Sequence, residues 1–171
     1  MPRFSPDPKE VRATTRVFDR GEYELKVGKP TGLFYVRESD QKEIGGVQVP
    51  FTMAGRINGK GKVVPDHEGE AVFPNRFYLH SEAALPFLKR FAMAALGYDR
   101  NSEDTFNSDY WDEADLTLDA GEGDDGEQSL SIGAFYSELE GQRVIANLDK
   151  GMSQDEEREV QEFGVWAPIS S

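Results

Sequence analysis

Apolar and polar residues alternate along much of this chain, and the alternation marks out its elements. Tyr23, Leu25 and Val27 are interleaved with Glu22, Glu24 and Lys26, the period-two pattern of a strand with one buried face. The pattern resumes over residues 33–37 after the Gly28-Lys29-Pro30 break. Val47, Val49, Phe51 and Met53 alternate again and lead into Ile57-Asn58-Gly59, where Asn-Gly signals a turn. A further extended segment is predicted over 71–79, with Val72, Phe73, Phe77 and Leu79 as its apolar members.

The period then changes. Leu85, Leu88, Phe91, Ala92 and Ala95 fall at helical spacing, which predicts a helix over 82–96 with Ser81 as N-cap and Gly97 just past its end. Pro86 lies in the second turn under that cap, so either the helix starts later or its first turn is irregular. An acidic insertion follows at 99–128, with a short helix predicted over 108–114 and an exposed Gly-Asp loop over 121–126. Strands are predicted again over 129–137, 143–148 and 159–166. Before Gly21, the prolines Pro2, Pro6 and Pro8 point to an extended arm over 1–20.

The resulting order is βββ-α-ββ. It predicts a mainly β protein with one helix, folded as an OB-like five-stranded barrel. Residues 21–171 form one domain in this reading, interrupted by the acidic insertion.

Charge changes the picture of what that barrel meets. The chain has 171 residues with 32 acidic and 19 basic side chains, a formal net charge of -13. Thirteen of the acids lie between Asn101 and Gly141, a stretch with no Lys or Arg. The rest of the chain is therefore balanced at nineteen against nineteen. Electrostatic binding depends on where charges sit, so the global excess does not rule out a nucleic-acid partner. Three roles are open for 101–141: a disordered solubilising loop, an internal competitor for a basic groove, or a protein-recruiting or phosphate-mimicking surface. Phe106, Tyr110, Trp111, Leu116 and Leu118 favour more than solvation, since purely solvating segments carry few large apolar groups.

Several segments together resemble a phage-encoded family of unknown function, found among replication and recombination genes and regarded as single-stranded DNA binders. They are Gly21-Glu22-Tyr23-Glu24-Leu25, Asn75-Arg76-Phe77-Tyr78-Leu79-His80, the helix end Leu96-Gly97, Leu139-Glu140-Gly141-Gln142-Arg143-Val144, and the run from Glu159 to Pro168. The resemblance implies an OB-like barrel that binds single-stranded DNA. The acidic insertion and the proline-rich arm depart from that compact pattern.

Binders of single strands combine cations along the backbone with aromatic faces for the bases. The candidates here are Arg37, Arg56, Lys60, Lys62 and Arg76, interleaved with Tyr35, Phe51 and Phe77. The turn over 56–62, rich in glycine and cations and free of acids, leads the set. The competing place for any one of these aromatics is the core. Tyr110, Trp111, Asp112 and Glu113 are the candidate protein-interaction residues.

Signals for catalysis are thin. There is no cysteine, and His67 and His80 lack zinc-site spacing. No GxSxG, P-loop or EF-hand pattern occurs. The reading is a non-enzymatic protein without cofactor or metal. Its expected partners are single-stranded DNA and, through the acidic segment, replication or recombination proteins; monomer and homo-oligomer both stay open. The alternative is an acidic interaction module, either a DNA mimic or a structural phage component. With no signal-peptide core and no apolar run near the roughly 20 residues of a membrane helix, a cytoplasmic location in the infected host is expected.

Overall fold

The computed structural model describes residues 15–36, 38–79, 82–122, 128–152 and 159–169. Its strands are β1 (Thr15–Arg16), β2 (Gly21–Val27), β3 (Thr31–Val36), β4 (Glu43–Ile57), β5 (Val63–Val64), β6 (Ala71–Tyr78), β7 (Leu118–Glu122), β8 (Gln128–Ile132), β9 (Arg143–Met152) and β10 (Glu159–Pro168). Two short helices, α1 (Leu85–Ala95) and α2 (Glu103–Asp109), lie between β6 and β7. No described helix is long and apolar enough to cross a membrane.

The main sheet runs in the order β1-β6-β4-β2-β9-β10, antiparallel except where the short β1 pairs with β6. β4 organises it. This strand is fifteen residues long, and pairs along one side first with β3 and then with β2, and along the other with β6 and β5. Two register shifts bend it, one opposite Glu24/Leu25 and one between Val49 and Phe51 at Pro50. Bulges of this kind raise local twist and curl a sheet. The curl brings β10 close to β6, but no ladder joins them, and the barrel is not closed.

Side chains seal the gap that hydrogen bonds leave. Trp166 of β10 packs edge-on against Phe91 of α1 at 4.8 Å between ring centroids and stacks on Phe51 at 5.6 Å and on Phe163 at 5.5 Å. Phe77 stacks on Phe91 at 4.9 Å. Helix α1 closes this corner, burying Leu88, Phe91, Ala92 and Ala95, four of the five residues that the helical period picks out. The chain entering the sheet is pinned from the opposite edge: Gln161 accepts from the Phe18 N–H and donates to the Phe18 carbonyl.

Several expectations need correction. α1 begins at Leu85, after a 3-10 turn at Glu82–Ala84, with Pro86 in the first turn, where a missing N–H costs nothing; Ser81 lies outside the described residues. Gly97 ends the helix at φ 87°, and Tyr98 N–H reaches back to the Met93 carbonyl, the hydrogen bond of a Schellman cap. The helix expected at 108–114 lies earlier, as α2, followed by a separate 3-10 turn at Trp111–Glu113. The strand expected over 129–137 stops at Ile132. The chain turns there because Gly133 lies so close to the Asp115 carbonyl that a Cβ would collide with it. Residues 134–138 then form a 3-10 turn that buries Phe135 and Tyr136. Of the expected arm, residues 1–14 lie outside the described set; of the Gly-Asp loop, the first two residues end β7 and the rest lie outside it.

The first half of the acidic segment is part of the body. Phe106 is fully buried, and Tyr110, Trp111, Leu116 and Leu118 pack on the same core as α1 and β9. A disordered solubilising loop does not describe residues 99–118. Phe106→Ala is expected to cost about 3–5 kcal/mol, the range for truncating a buried Phe, in a urea or thermal unfolding experiment. A loss below about 1 kcal/mol, as for a surface substitution, would show that the segment does not pack.

Candidate nucleic-acid interface

The structure splits the sequence-derived cations into two groups. Lys60 and Lys62 are exposed on the turn after β4, where the Asn58 carboxamide oxygen accepts from both of their backbone N–H groups. Arg56 is exposed beside them, with its guanidinium 5.7 Å from the Tyr23 ring centroid. Arg76 is elsewhere, on the outer edge of the sheet in β6, donating to Gln48 at 3.2 Å. Arg37 lies outside the described residues, and Tyr35 is described only by its backbone pairing with Ile44.

Two of the aromatic candidates are corrected. Phe51 and Phe77 are 2% and 3% exposed. Both belong to the ring cluster under α1, because period two on β4 and β6 places them on the inner face. Neither can offer a face to a base.

What Arg76 borders is a cleft of about 1240 Å³ between the facing edges of β6 and β10, walled by α1 and by the chain that follows it. Its cations are Arg76, Lys89, Arg90 and Arg100, against the acids Asp99 and Glu103. This is a local excess of two positive charges on a chain of net charge -13. No ion pair among the described residues uses Arg76, Arg90 or Arg100. Apolar surface opens into the same space: Phe87 is 63% exposed and Val165 51%, with half-buried Trp166 at the seam. A smaller hollow of about 540 Å³ near Gly21 sets one cation, Arg20, against Glu22, Asp149 and Glu162, a poor match for a polyanion.

Arg90, Arg100, Lys89 and Phe87 escape a reading that looks for binding residues on strands. One signal was present: Phe87 is the aromatic that falls off the Leu85-Leu88-Phe91-Ala92-Ala95 stripe, and an aromatic off the buried stripe is a candidate to face outward.

The start of the acidic segment borders this cleft through Asp99, Asn101 and Glu103. Three of its carboxylates are engaged locally. Asp99 accepts from Asn101 N–H at 2.9 Å and Ser102 Oγ at 3.0 Å. Asp109 accepts from the Tyr98 hydroxyl, which pushes that phenol up to about 12. Asp115 is held below the ordinary range by the hydroxyl and N–H of Thr117. Of the interaction candidates, Tyr110 and Trp111 are half-buried and occupied with Phe106 and Phe135, whereas Asp112 and Glu113 are exposed.

Glu103 differs, because its partner belongs to the cleft. Its Oε1 accepts from Lys89 Nζ at 2.7 Å, and Nζ stands 5.8 Å from the Trp111 ring centroid. The hydrogen bond and charge of Lys89 hold the Glu103 carboxyl below its ordinary 4.5. A depressed carboxyl pKa means that the pair is fully formed above the ordinary value and is lost as pH falls through the lowered one. In a Trp166→Phe background, Trp111 emission is therefore expected to change below pH 4.5 and to lose that step in Lys89→Gln.

No protein-family profile and no curated protein matches this chain.

Proposed function

We propose that this chain is a non-enzymatic single-stranded DNA-binding protein whose ligand lies in the cleft between β6, α1 and β10. The cleft carries the reading. The guanidiniums of Arg76, Arg90 and Arg100, none of them in an ion pair among the described residues, line one channel with the exposed ring of Phe87, a combination of backbone cations and stacking surface that suits a single strand. A seam between two sheet edges also suits an extended, unpaired strand better than the broad cylinder of a duplex. Five main strands, β2, β4, β6, β9 and β10, with α1 between the third and fourth, fit a partly open OB-type barrel, a common platform for oligonucleotides. The resemblance to phage proteins encoded among replication and recombination genes supports a role in those processes in an infected host.

A second reading rests on α2 and the turn after it. Exposed Asp104, Asp112 and Glu113 stand on a surface anchored by the buried Phe106. Exposed carboxylates on a folded surface of this kind suit a basic protein partner, such as one acting in replication or recombination.

The test is oligothymidine binding as a function of salt. Log K is expected to fall linearly with log salt, and Arg76→Gln, Arg90→Gln and Arg100→Gln should each reduce the slope by about 0.7. Phe87→Ala is expected to weaken binding by about 1–3 kcal/mol, the value of one stacked base. Lys60→Gln and Lys62→Gln, on the other turn, should leave the slope unchanged. Failure of the folded wild type to bind at low salt would reject the reading and leave the acidic surface as the better one.

A further inference from the structure

The ion pair inside the cleft is asymmetric. The Lys89 side chain is only 18% exposed, while that of its partner Glu103 is 57% exposed. The ammonium stands 5.8 Å from the Trp111 ring centroid and 2.7 Å from the carboxylate, and both Lys89 and Glu103 line the cleft. Arg90 adds its charge to the field at the same carboxylate. A half-buried ammonium needs an anionic or hydrogen-bonding partner, and a largely exposed carboxylate is a partner that can be exchanged. A phosphodiester offers the same chemistry, a singly charged group with paired acceptor oxygens.

We infer that Lys89, with Arg90 beside it, is a phosphate-binding site of the cleft, and that Glu103 occupies it until a nucleic-acid phosphate takes its place. This rests on the nucleic-acid reading above and adds to it a named phosphate position and a built-in competitor. Binding at Lys89 then replaces one contact with another, so the site contributes less than a free cation would. Removal of the competitor restores that difference. Glu103 acts on the ligand chiefly through Lys89, so most of its effect should vanish when Lys89 is gone.

The experiment measures affinity for an oligothymidine of about 16 nucleotides, long enough for one OB-type domain, with folding of every variant checked by thermal unfolding. Glu103→Gln is expected to tighten binding about two- to fivefold, the size of one partly exposed ion pair. The double variant Glu103→Gln/Lys89→Gln should show no such gain over Lys89→Gln. Asp104→Asn removes a neighbouring exposed carboxylate that does not touch Lys89, and should change affinity far less. In the Trp166→Phe background, oligonucleotide should alter Trp111 emission as Glu103 leaves. Wild-type binding with Glu103→Gln unchanged would overturn the inference while leaving the cleft as the binding site. An equal gain from Asp104→Asn would also overturn it, since the effect would then be general charge. Absence of binding by both wild type and Glu103→Gln would remove the nucleic-acid reading and this inference together.

Discussion

Trp166 packed against Phe91 is the contact on which the rest of the architecture depends. A curled sheet whose first and last strands fail to pair has two exposed edges and an open core. Here the opening is filled by rings from three sources: Phe51 and Phe77 from the sheet interior, Phe91 from α1, and Trp166 with Phe163 from β10. Rings can fill such a gap because they bury a large area with few rotatable bonds and make favourable edge and offset contacts. The seal leaves the facing edges of β6 and β10 apart, and that separation is the cleft. Had hydrogen bonds closed the seam, Arg76 and Val165 would lie on a continuous wall and not on the two sides of a channel.

The same contact fixes α1, and α1 places the charges. Its buried stripe commits Leu88, Phe91, Ala92 and Ala95 to the seam, which leaves Phe87, Lys89 and Arg90 directed toward the cleft and its rim. The cap at Gly97 then turns the chain so that Arg100 and Glu103 return to the same space. Fields at about physiological salt decay over about 8 Å, so a ligand in the cleft senses these few groups far more than the net charge of the whole chain. Among the described acids of the following segment, Asp104 and Asp109 lie on the short helix held by Phe106, and Asp99, Asp109 and Asp115 are bound to their own neighbours.

The strands and the helix were legible in the sequence because their signals are local. Alternation at Tyr23-Leu25-Val27 and at Val47-Val49-Phe51-Met53 assigns both strand and inner face, and all seven side chains are buried. The elements that were misplaced are those fixed by distant contacts. Residues 134–137 read as strand from their apolar members, but they lie in a 3-10 turn that follows the close approach of Gly133 to the Asp115 carbonyl. α2 appears before Tyr110 and Trp111 because Phe106, one turn earlier, is what the core accepts. Of the candidate site residues, Arg76 lines the cleft, whereas Phe51 and Phe77 belong to the core. An aromatic on a strand has the same local signature whether its face meets solvent or core.

By itself the sequence determined the mainly β character, the principal helix and its glycine stop, and the concentration of acid in one segment, since periodicity and charge are properties of neighbouring residues. Only the tertiary structure decided that the sheet stays open, that rings rather than hydrogen bonds seal it, and that Arg76, Lys89, Arg90 and Arg100 meet. Those outcomes depend on how far a sheet curls before its edges touch, and that is set by bulges and packing summed over strands well separated in sequence.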